Sequence, residues 1–310
     1  MESLKMVRLA LVSLGMVLVT ISRVPAAPAF SAWSAPVNLG ALVNSAFDDY
    51  GGALSKDGLS LYFTSTRPGG FGGEDLWVSQ RASEDDPFGP PLNLGGAVNT
   101  TLADRTPALT RDGHWLLFAS NRSGGLGGLD VWASYRENTH DDFGWEPPVN
   151  LGPGINTAAT DDTGPTFLEG DGGRADRIYF ARGATGVNGG TDIYVSEFSD
   201  GAWGVAQPVP ELSSPVADAG PEIRFDGREI IFHSTRPGSA ATDLWSASRD
   251  TPDDPFSPPV NLGPLVNSAT IDRDACLSSK GDVMILSSDR PGGFGSRDLY
   301  FSTRTRPSGK

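Results

Sequence analysis

The sequence predicts an all-β fold, a five-bladed β-propeller whose blades have four strands each. One phrase recurs five times along the 310 residues: an apolar strand, a loop that usually contains arginine, and a strand of the Asp-Leu-Trp type. The hairpin turns that mark the copies are 55, 59, 55 and 54 residues apart, at Asp57, Asp112, Asp171, Asp226 and Lys280. A regular period of this length indicates a repeat architecture in which each copy forms one structural unit.

Each copy contains four short strand signals. The first strand ends at a turn such as Asp57-Gly58, and Asp-Gly between two apolar runs is the strongest local signal for a β-hairpin. The second and third strands, as in residues 61–63 and 75–77, are rich in residues that favour a pleated surface. The fourth contains proline, as in residues 36–40, and proline favours an outer edge strand because its missing N–H breaks no ladder there.

The order of the signals predicts how the ring closes. The chain begins with a fourth-strand signal at Trp33, and its last signal is a third strand that ends near Ser302. The last blade therefore lacks an outer strand, while the N-terminal segment has one to spare. We predict that residues 33–40 complete the last blade and so leave only short, protected sheet edges.

Residues 1–31 are predicted to form a signal peptide. Lys5 and Arg8 precede an apolar core from Leu9 to Ile21, and small residues follow it. The apolar run is too short to favour a membrane span, so no membrane insertion is expected after cleavage. We therefore expect an exported bacterial protein, periplasmic or extracellular, in which residues 32–310 form a single propeller domain and a monomer.

The net charge argues against two classes of partner. It is −14 for the whole sequence, and loss of the signal peptide removes three positive charges and one negative charge to leave −16. Phosphates of a nucleic acid or an anionic membrane would be repelled. No cofactor or metal is expected, because the three histidines show no metal-ligand spacing. The one cysteine, Cys276, can form no intrachain disulfide and is predicted to be a buried structural thiol.

The series in residues 54–79, Leu-Ser-Lys-Asp-Gly to Asp-Leu-Trp-Val-Ser, resembles the WD-like β-propeller repeat of the TolB type. The resemblance extends over residues 33–303. It implies a propeller and a place in the bacterial envelope or outside the cell. Relatives of this kind include envelope proteins that bind other proteins, propellers on peptidases and some polysaccharide lyases.

Two sets of aspartates recur once per blade. The first set stands just before the third strand and comprises Asp75, Asp130, Asp192, Asp243 and Asp298. In four blades an arginine precedes the aspartate, namely Arg67, Arg122, Arg236 and Arg290; in blade one the two are eight residues apart. Each aspartate is predicted either to pair with this arginine or to accept N–H groups of the loop. Blade three has Ala184 at the arginine position. The second set begins the innermost strand of each blade and comprises Asp49, Asp104, Asp162, Asp218 and Asp272.

The second set is predicted to surround one mouth of the central channel. Each aspartate could cap its own loop by accepting N–H groups. Alternatively, the five carboxylates form a ring of negative charge that attracts a cation or a cationic ligand group, with Arg105 and Arg273 reducing the repulsion between them. Blade four departs most from the repeat, since Glu222 stands where the other blades carry small residues. We therefore expect blades three and four to make the mouth asymmetric.

Two functions are compatible with this sequence. The main prediction is a non-catalytic secreted propeller that binds a protein, peptide or glycan at one face of the ring, using the second set of aspartates with Arg105, Arg273 and Glu222. The blades are nearly regular and no catalytic motif is evident. The alternative is a five-bladed carbohydrate-active enzyme, a glycoside hydrolase or a lyase, in which Asp162, Asp218 and Glu222 supply the catalytic carboxylates. Exposed aromatic residues near the mouth would favour a sugar ligand.

Overall fold

The computed structural model describes residues 30–183 and 190–306 and confirms the five-bladed β-propeller. The first strands of neighbouring blades contact one another in a closed ring around the axis, and each blade runs outwards from there as an antiparallel sheet. The elements of the described residues are all strands. Within these residues, no helix is long and apolar enough to cross a membrane. Residues 1–29 of the predicted signal peptide lie outside the described part of the chain.

The strands follow the predicted order. The first of the chain is β1 (Val37–Asn38), and blade one consists of β2 (Asp49–Leu54), β3 (Ser60–Ser65), β4 (Asp75–Gln80) and β5 (Leu92–Asn93). Blade two consists of β6 (Asp104–Leu109), β7 (Trp115–Ser120), β8 (Asp130–Tyr135) and β9 (Val149–Asn150). Blade three is the least regular, with β10 (Asp161–Leu168), β11 (Arg177–Gly183), β12 (Thr191–Ser199), a short extra strand β13 (Ala202–Trp203) and the outer strand β14 (Gln207–Pro208). Blade four consists of β15 (Asp218–Ile223), β16 (Glu229–Ser234), β17 (Asp243–Ser248) and β18 (Val260–Asn261), and blade five of β19 (Asp272–Leu277), β20 (Val283–Ser288), β21 (Asp298–Thr303) and β1.

The ring closes as predicted, by the N-terminal strand completing blade five. Strand β1 pairs antiparallel with β21, with Val37 opposite Phe301. The Ser31 N–H donates to the Thr305 carbonyl at 2.7 Å, and Phe30 is buried beneath the guanidinium of Arg304 at 3.9 Å. Phe30 and Ser31, which the sequence analysis assigned to the signal peptide, therefore pack with the propeller.

The apolar core lies between the blades. Successive side chains of a strand point to opposite faces of its sheet, and here both faces are covered by neighbouring blades. Five buried clusters among the described residues each combine two adjacent blades; Tyr62 and Leu76 of blade one, for example, pack with Leu116 and Phe118 of blade two. Burial on both faces explains why the second and third strands read as nearly continuous apolar runs.

Every innermost strand is irregular at the same register. The pairing of the first and second strands shifts in all five blades, between Tyr50 and Ala53 in blade one. One residue at each shift has positive φ, and in two blades it is not glycine: Thr106 and Asp274 both have φ 52°. A β-branched residue is strained in this region, and such strain persists only where the surrounding structure imposes it. The irregularities bring five backbones together at one level of the axis.

Candidate functional site

The five aspartates that begin the innermost strands are all completely buried. Asp104 illustrates their contacts. Its carboxylate accepts hydrogen bonds from the Thr100 N–H and hydroxyl at 2.6 and 2.9 Å, from the Ser120 hydroxyl at 2.6 Å, and from the Arg122 guanidinium at 2.6 Å. An arginine also pairs with each of the other four aspartates, Asp49, Asp162, Asp218 and Asp272. A loop N–H group binds the second oxygen of Asp49, Asp162 and Asp272, whereas the second oxygen of Asp218 has no hydrogen-bond partner among the described residues. Four of the five carboxylates therefore cap a loop that joins one blade to the next, and all five are paired with an arginine.

The arginines therefore do not pair with the aspartates that precede the third strands, as one of the two predicted arrangements required. Arg67 lies 2.5 Å from Asp49, whereas Asp75 accepts the loop N–H groups of Phe71 and Gly72, which was the other predicted arrangement. Blade three has no arginine at the equivalent position, but another arginine takes over the pairing. Arg182 donates to Asp162 at 2.7 Å from a different position in the chain, and Ala184 lies outside the described residues.

At the mouth of the channel, the register that follows the buried aspartates carries charged side chains in blades two and five only, among the described residues. The residue after each buried aspartate occupies an equivalent register, and the five are Tyr50, Arg105, Thr163, Ala219 and Arg273. The large and charged members belong to blades five, one and two, which are consecutive in the ring. Blades three and four contribute threonine and alanine. The mouth is therefore asymmetric, as expected, but at this register the larger side chains come from blades five, one and two and not from blades three and four.

A network of contacts links these groups across blades one and two. The Tyr50 hydroxyl donates to the carboxylate of Glu74, and the Arg105 guanidinium lies 3.5 Å from the other oxygen of Glu74. Burial, followed by the charge of Glu74, raises the pKa of Tyr50 well above its usual range. Tyr50 therefore remains a hydroxyl donor at any physiological pH and holds the Glu74 carboxylate in place.

The network continues into blade five. The Arg297 guanidinium stacks on the Tyr50 ring at 4.0 Å and pairs with Asp48 at 2.7 Å. Arg273 is held less firmly: its Nε is buried, no described residue accepts a hydrogen bond from it, and the nearest carboxylate oxygen, on Asp274, is 3.7 Å away. Arg105 and Arg273 each retain 30% side-chain exposure. Both can donate to a ligand in the mouth.

Blade four adds a histidine to the edge of this network. Nδ1 of His233 accepts the Asp274 N–H at 3.4 Å and lies 3.6 Å from the Asp274 carboxylate. Burial lowers the pKa of His233 to about 4, against the opposing effect of Asp274. At neutral pH the ring is therefore uncharged. We name the mouth network by its members: Tyr50, Glu74, Arg105, His233, Arg273, Asp274 and Arg297.

Below the mouth the channel is nearly closed. The backbones meet where the inner strands are irregular, and a side-chain carbon added to Gly51 would lie 3.3 Å from the Thr106 backbone. The remaining cavity of about 50 Å³ has room for a few water molecules. It is too small for a sugar, because small-molecule pockets measure roughly 300 Å³ or more. The channel itself therefore cannot hold a sugar.

Glu222 lies in this closed part of the channel and not at the mouth. It stands four residues further along β15 than Asp218. Its carboxylate accepts the Leu277 N–H of blade five at 2.8 Å and the Thr166 hydroxyl of blade three at 2.9 Å. The predicted catalytic set of Asp162, Asp218 and Glu222 is thus not brought together around an open pocket: the two aspartates are fully buried and bonded to arginines.

In three blades, the side chain at the register of Glu222 accepts a backbone N–H group from the innermost strand of the next blade. Thr166 accepts the Ile223 N–H at 3.4 Å, Glu222 accepts the Leu277 N–H, and Sγ of Cys276 accepts the Leu54 N–H at 3.3 Å. Cys276 is free and buried, as predicted. Burial and the neighbouring Glu222 raise the pKa of its thiol. The departure of Glu222 from the repeat is therefore explained by a structural bond between blades.

Glu222 should make stability depend on pH. Burial raises its pKa from 4.5 to about 7, so the folded protein holds this proton more tightly than the unfolded chain does. The resulting stabilisation is complete below pH 4.5 and is lost as the pH rises through 7. We expect the free energy of unfolding to fall by about 3 kcal/mol from this group over that range. Urea unfolding at pH 4.5, 6 and 8 measures the effect. The free energy of unfolding of Glu222→Gln, relative to that of wild type, should increase as the pH rises.

The exposed Glu211→Gln is the matched control and should show no such trend. A constant difference between Glu222→Gln and wild type at all three pH values would contradict the assignment.

Three exposed phenylalanines lie at the same end of the ring as the mouth. Phe47 precedes Asp48, and Phe71 and Phe294 occupy the loops before the third strands of blades one and five. Their exposed fractions are 44, 52 and 50%. Within the described part of the chain, no group of three histidine, cysteine, aspartate or glutamate side chains is arranged to hold a metal ion.

Comparisons with known proteins show the fold. No protein-family model matches the chain, and neither does any curated protein. Among solved structures, it is similar to the catalytic domain of a GH62 α-L-arabinofuranosidase from Coprinopsis cinerea, with 11% identity, a TM-score of 0.60 and coverage of 90% of this chain and 98% of that chain. It is also similar to the GH43_1 enzyme from Xanthomonas citri solved with xylotriose, with 14% identity, a TM-score of 0.57 and coverage of 89% and 91%. A TolB protein from Agrobacterium tumefaciens matches with 16% identity, a TM-score of 0.47 and coverage of 83% and 79%.

These matches correct two predictions. The propeller that the resemblance to TolB-type repeats implied is confirmed by the sheet topology, and membership of that family is not specifically confirmed. The main functional prediction, a non-catalytic binding propeller, is contradicted, because the similar five-bladed structures are mostly glycoside hydrolases.

Proposed function

We propose that the protein is a carbohydrate-active enzyme that cleaves glycosidic bonds at the channel mouth. The observation that carries the proposal is the presence at the mouth of carboxylates from different blades: Glu74 of blade one, which Tyr50 joins to Arg297, and Asp274 of blade five, which lies between Arg273 and His233. The similar structures are enzymes of this class, and several were solved with xylose, xylotriose or cellotriose. The exposed phenylalanines at this end of the ring suit a sugar ligand.

Glycoside hydrolysis requires two carboxyl groups. One donates a proton to the leaving oxygen, and the other attacks the anomeric carbon or takes a proton from the attacking water. Tyr50 and Arg105 orient Glu74, while Asp274 is held at a strained backbone position between Arg273 and His233. Strained positions are often found at catalytic sites. Glu74 stands beside the recurring Asp75, and its partner Arg105 belongs to the neighbouring blade.

Hydrolysis should depend on both carboxylates. We expect Glu74→Gln and Asp274→Asn each to lower kcat on an arabino- or xylo-oligosaccharide by about 10²- to 10⁴-fold, the usual loss when an acid or base is removed. Reducing-sugar release from a panel of such oligosaccharides measures the effect. Asp171→Asn serves as the control, since this exposed residue lies in a turn at the opposite end of the blade. Full activity in both mouth variants would refute the assignment.

A lyase is the second candidate, and the loosely held Arg105 and Arg273 favour it. Arginines that can donate in the mouth suit the carboxylate of a uronic acid. In a lyase, a base removes the proton from C5 of the uronate, the C4–O bond breaks, and a C4=C5 double bond forms. Ultraviolet absorbance of this double bond distinguishes elimination from hydrolysis when uronate polymers join the panel.

We also propose that the protein is exported, on the support of the predicted signal peptide. Fractionation of the producing cells tests this: cytoplasmic retention of the full-length chain would refute it.

A further inference from the structure

Four blades close the gap to the preceding blade with an arginine. This arginine follows the third strand, and its guanidinium lies over the aromatic ring that precedes the outer strand. The distances from Cζ to the ring centroid are 4.5 Å for Arg81–Phe88, 4.3 Å for Arg136–Trp145, 4.1 Å for Arg249–Phe256 and 4.2 Å for Arg304–Trp33. Each Nε donates to the carbonyl of the glycine in the hairpin turn of the same blade. We call this residue the arginine plug.

The plug also reaches the preceding blade. Arg136 of blade two donates to the Tyr62 hydroxyl of blade one at 2.9 Å, and Arg249 of blade four donates to the Tyr179 hydroxyl of blade three at 3.1 Å. Arg304 of blade five pairs with Glu229 of blade four at 2.6 Å. A guanidinium on an aromatic ring therefore bridges these neighbouring blades. Beside Arg249 a groove of about 410 Å³ remains between blades three and four, and there the guanidinium of the chain itself forms part of the wall.

Blade three has Phe198 in place of the plug. Two backbone hydrogen bonds show that Phe198 is equivalent to Arg136 of blade two. The Phe198 N–H donates to the Asp176 carbonyl, and in blade two the Arg136 N–H donates to the His114 carbonyl. Likewise, the Gly204 N–H donates to the Glu197 carbonyl, and the Glu146 N–H donates to the Tyr135 carbonyl. The aromatic partner is retained as Trp203. Phe198 lies edge-on to Trp203 at 5.2 Å and is 39% exposed, and no described guanidinium covers the Trp203 ring.

A groove opens where the plug is missing, between blades two and three. Its volume is about 480 Å³, and its walls include Trp115 and Leu117 of blade two and Phe167, Phe198 and Trp203 of blade three. Three carboxylates belong to its lining, those of Asp112, Glu169 and Asp176, against one arginine, Arg111. A volume of this size and a mostly apolar wall with a few polar groups are usual for small-molecule sites.

We propose that this groove binds a guanidinium group supplied by a ligand, which takes the position that the arginine plug occupies in the other four blades. The aromatic rings offer their faces to a flat cation, and the carboxylates accept its N–H groups. The net charge of −14 favours a cationic ligand. The groove lies at the end of the ring opposite to the mouth, so the site is independent of the proposed glycan cleavage. The ligand is a free guanidino compound or an arginine within a peptide.

Calorimetric titration of the full chain with guanidino probes tests the site. Agmatine and arginine amide should bind, and putrescine and lysine amide should bind at least tenfold more weakly, because an ammonium group lacks the planar face and the fork of donors. A blocked tripeptide with a central arginine distinguishes the two sources: tighter binding than arginine amide indicates a peptide, and weaker binding indicates a free compound.

Phe198→Arg restores the plug and provides the decisive variant. It should weaken binding of agmatine at least tenfold and raise the melting temperature, since the chain then fills its own groove. Phe198→Leu, which keeps the position apolar without a cation, should bind agmatine within threefold of wild type. If Phe198→Arg does not fold, Trp115→Ala, in the opposite wall, should also weaken binding at least tenfold.

Three results would overturn the proposal: no binding of any guanidino probe by the wild type, unchanged binding by Phe198→Arg, or binding of a xylo-oligosaccharide in the groove in preference to agmatine. Glu74→Gln and Asp274→Asn should leave agmatine binding unchanged. The guanidinium site and the proposed catalytic site are therefore tested independently, and either proposal can be refuted without the other.

Discussion

Deletion of residues 33–40 is expected to unfold a large part of the protein at 25 °C. The deletion removes β1, exposes the edge of β21 and takes the Trp33 ring from beneath Arg304. It also removes Asn38, which donates to Asp298 at 2.8 Å. Loss of one buried tryptophan costs about 3–5 kcal/mol, and the lost ladder and polar bonds add to it. The total approaches the ~5–15 kcal/mol by which a domain is normally stable. Urea unfolding followed by circular dichroism measures the loss.

A circular permutant provides the control for this deletion. Ser31 and Thr305 are joined by a backbone hydrogen bond, so a short turn can connect residue 306 to residue 30. A chain that starts at Ala41 and carries residues 30–40 at its C-terminus should recover most of the stability. An unchanged melt after deletion would show that β1 does not close the ring. A permutant as unstable as the deletion would show that the order of the chain matters more than the presence of the strand.

Asp104→Ala is expected to cost about 3–5 kcal/mol, because it leaves the guanidinium of Arg122 without its buried partner. Arg122 is only 10% exposed, and the donors at Thr100 and Ser120 also lose their acceptor. This exceeds the ~1 kcal/mol expected of a simple loop cap. Chemical unfolding at pH 7 measures the difference.

The double variant Asp104→Ala/Arg122→Ala tests the reason for this loss. Its cost should be smaller than the sum of the two single variants, since the residues interact directly. Glu84→Gln, which breaks the exposed pair with Lys280, should change stability by less than ~0.5 kcal/mol. A loss of only ~1 kcal/mol in Asp104→Ala would mean that the carboxylate acts as a loop cap alone.

The buried aspartate–arginine pairs explain how a regular scaffold can carry an irregular site. In all five copies the arginine binds both the aspartate and a carbonyl of the loop that enters the blade, and so fixes that loop. The residue that follows each buried aspartate is then held at a defined place in the mouth, whichever side chain it carries. Tyr50, Arg105 and Arg273 can therefore differ from Thr163 and Ala219 without disturbing the ring.

Some features of the site could not be predicted from chain spacing. Arg67 is eight positions from Asp75 and 18 from Asp49, and the shorter separation suggested the wrong partner. Arg67 pairs with the more distant Asp49 because β2 and β3 are antiparallel and place Asp49 opposite Ser65, two residues before Arg67. Glu74 and Arg297 were missed for a related reason, since their partners Arg105 and Asp48 belong to neighbouring blades.

The sequence by itself determined the five blades, the order of their strands, the closure by residues 33–40 and the burial of Cys276. These features depend on local turn chemistry and on apolar patterns that repeat with the period of the blade, so each copy confirms the others. Only the tertiary structure decided which side of the mouth is charged, that Glu222 bridges two blades within the closed channel, and that Phe198 opens a groove between blades two and three. Those features depend on contacts between different blades, and the distances between such residues are set by how the blades pack around the axis and not by their separation along the chain.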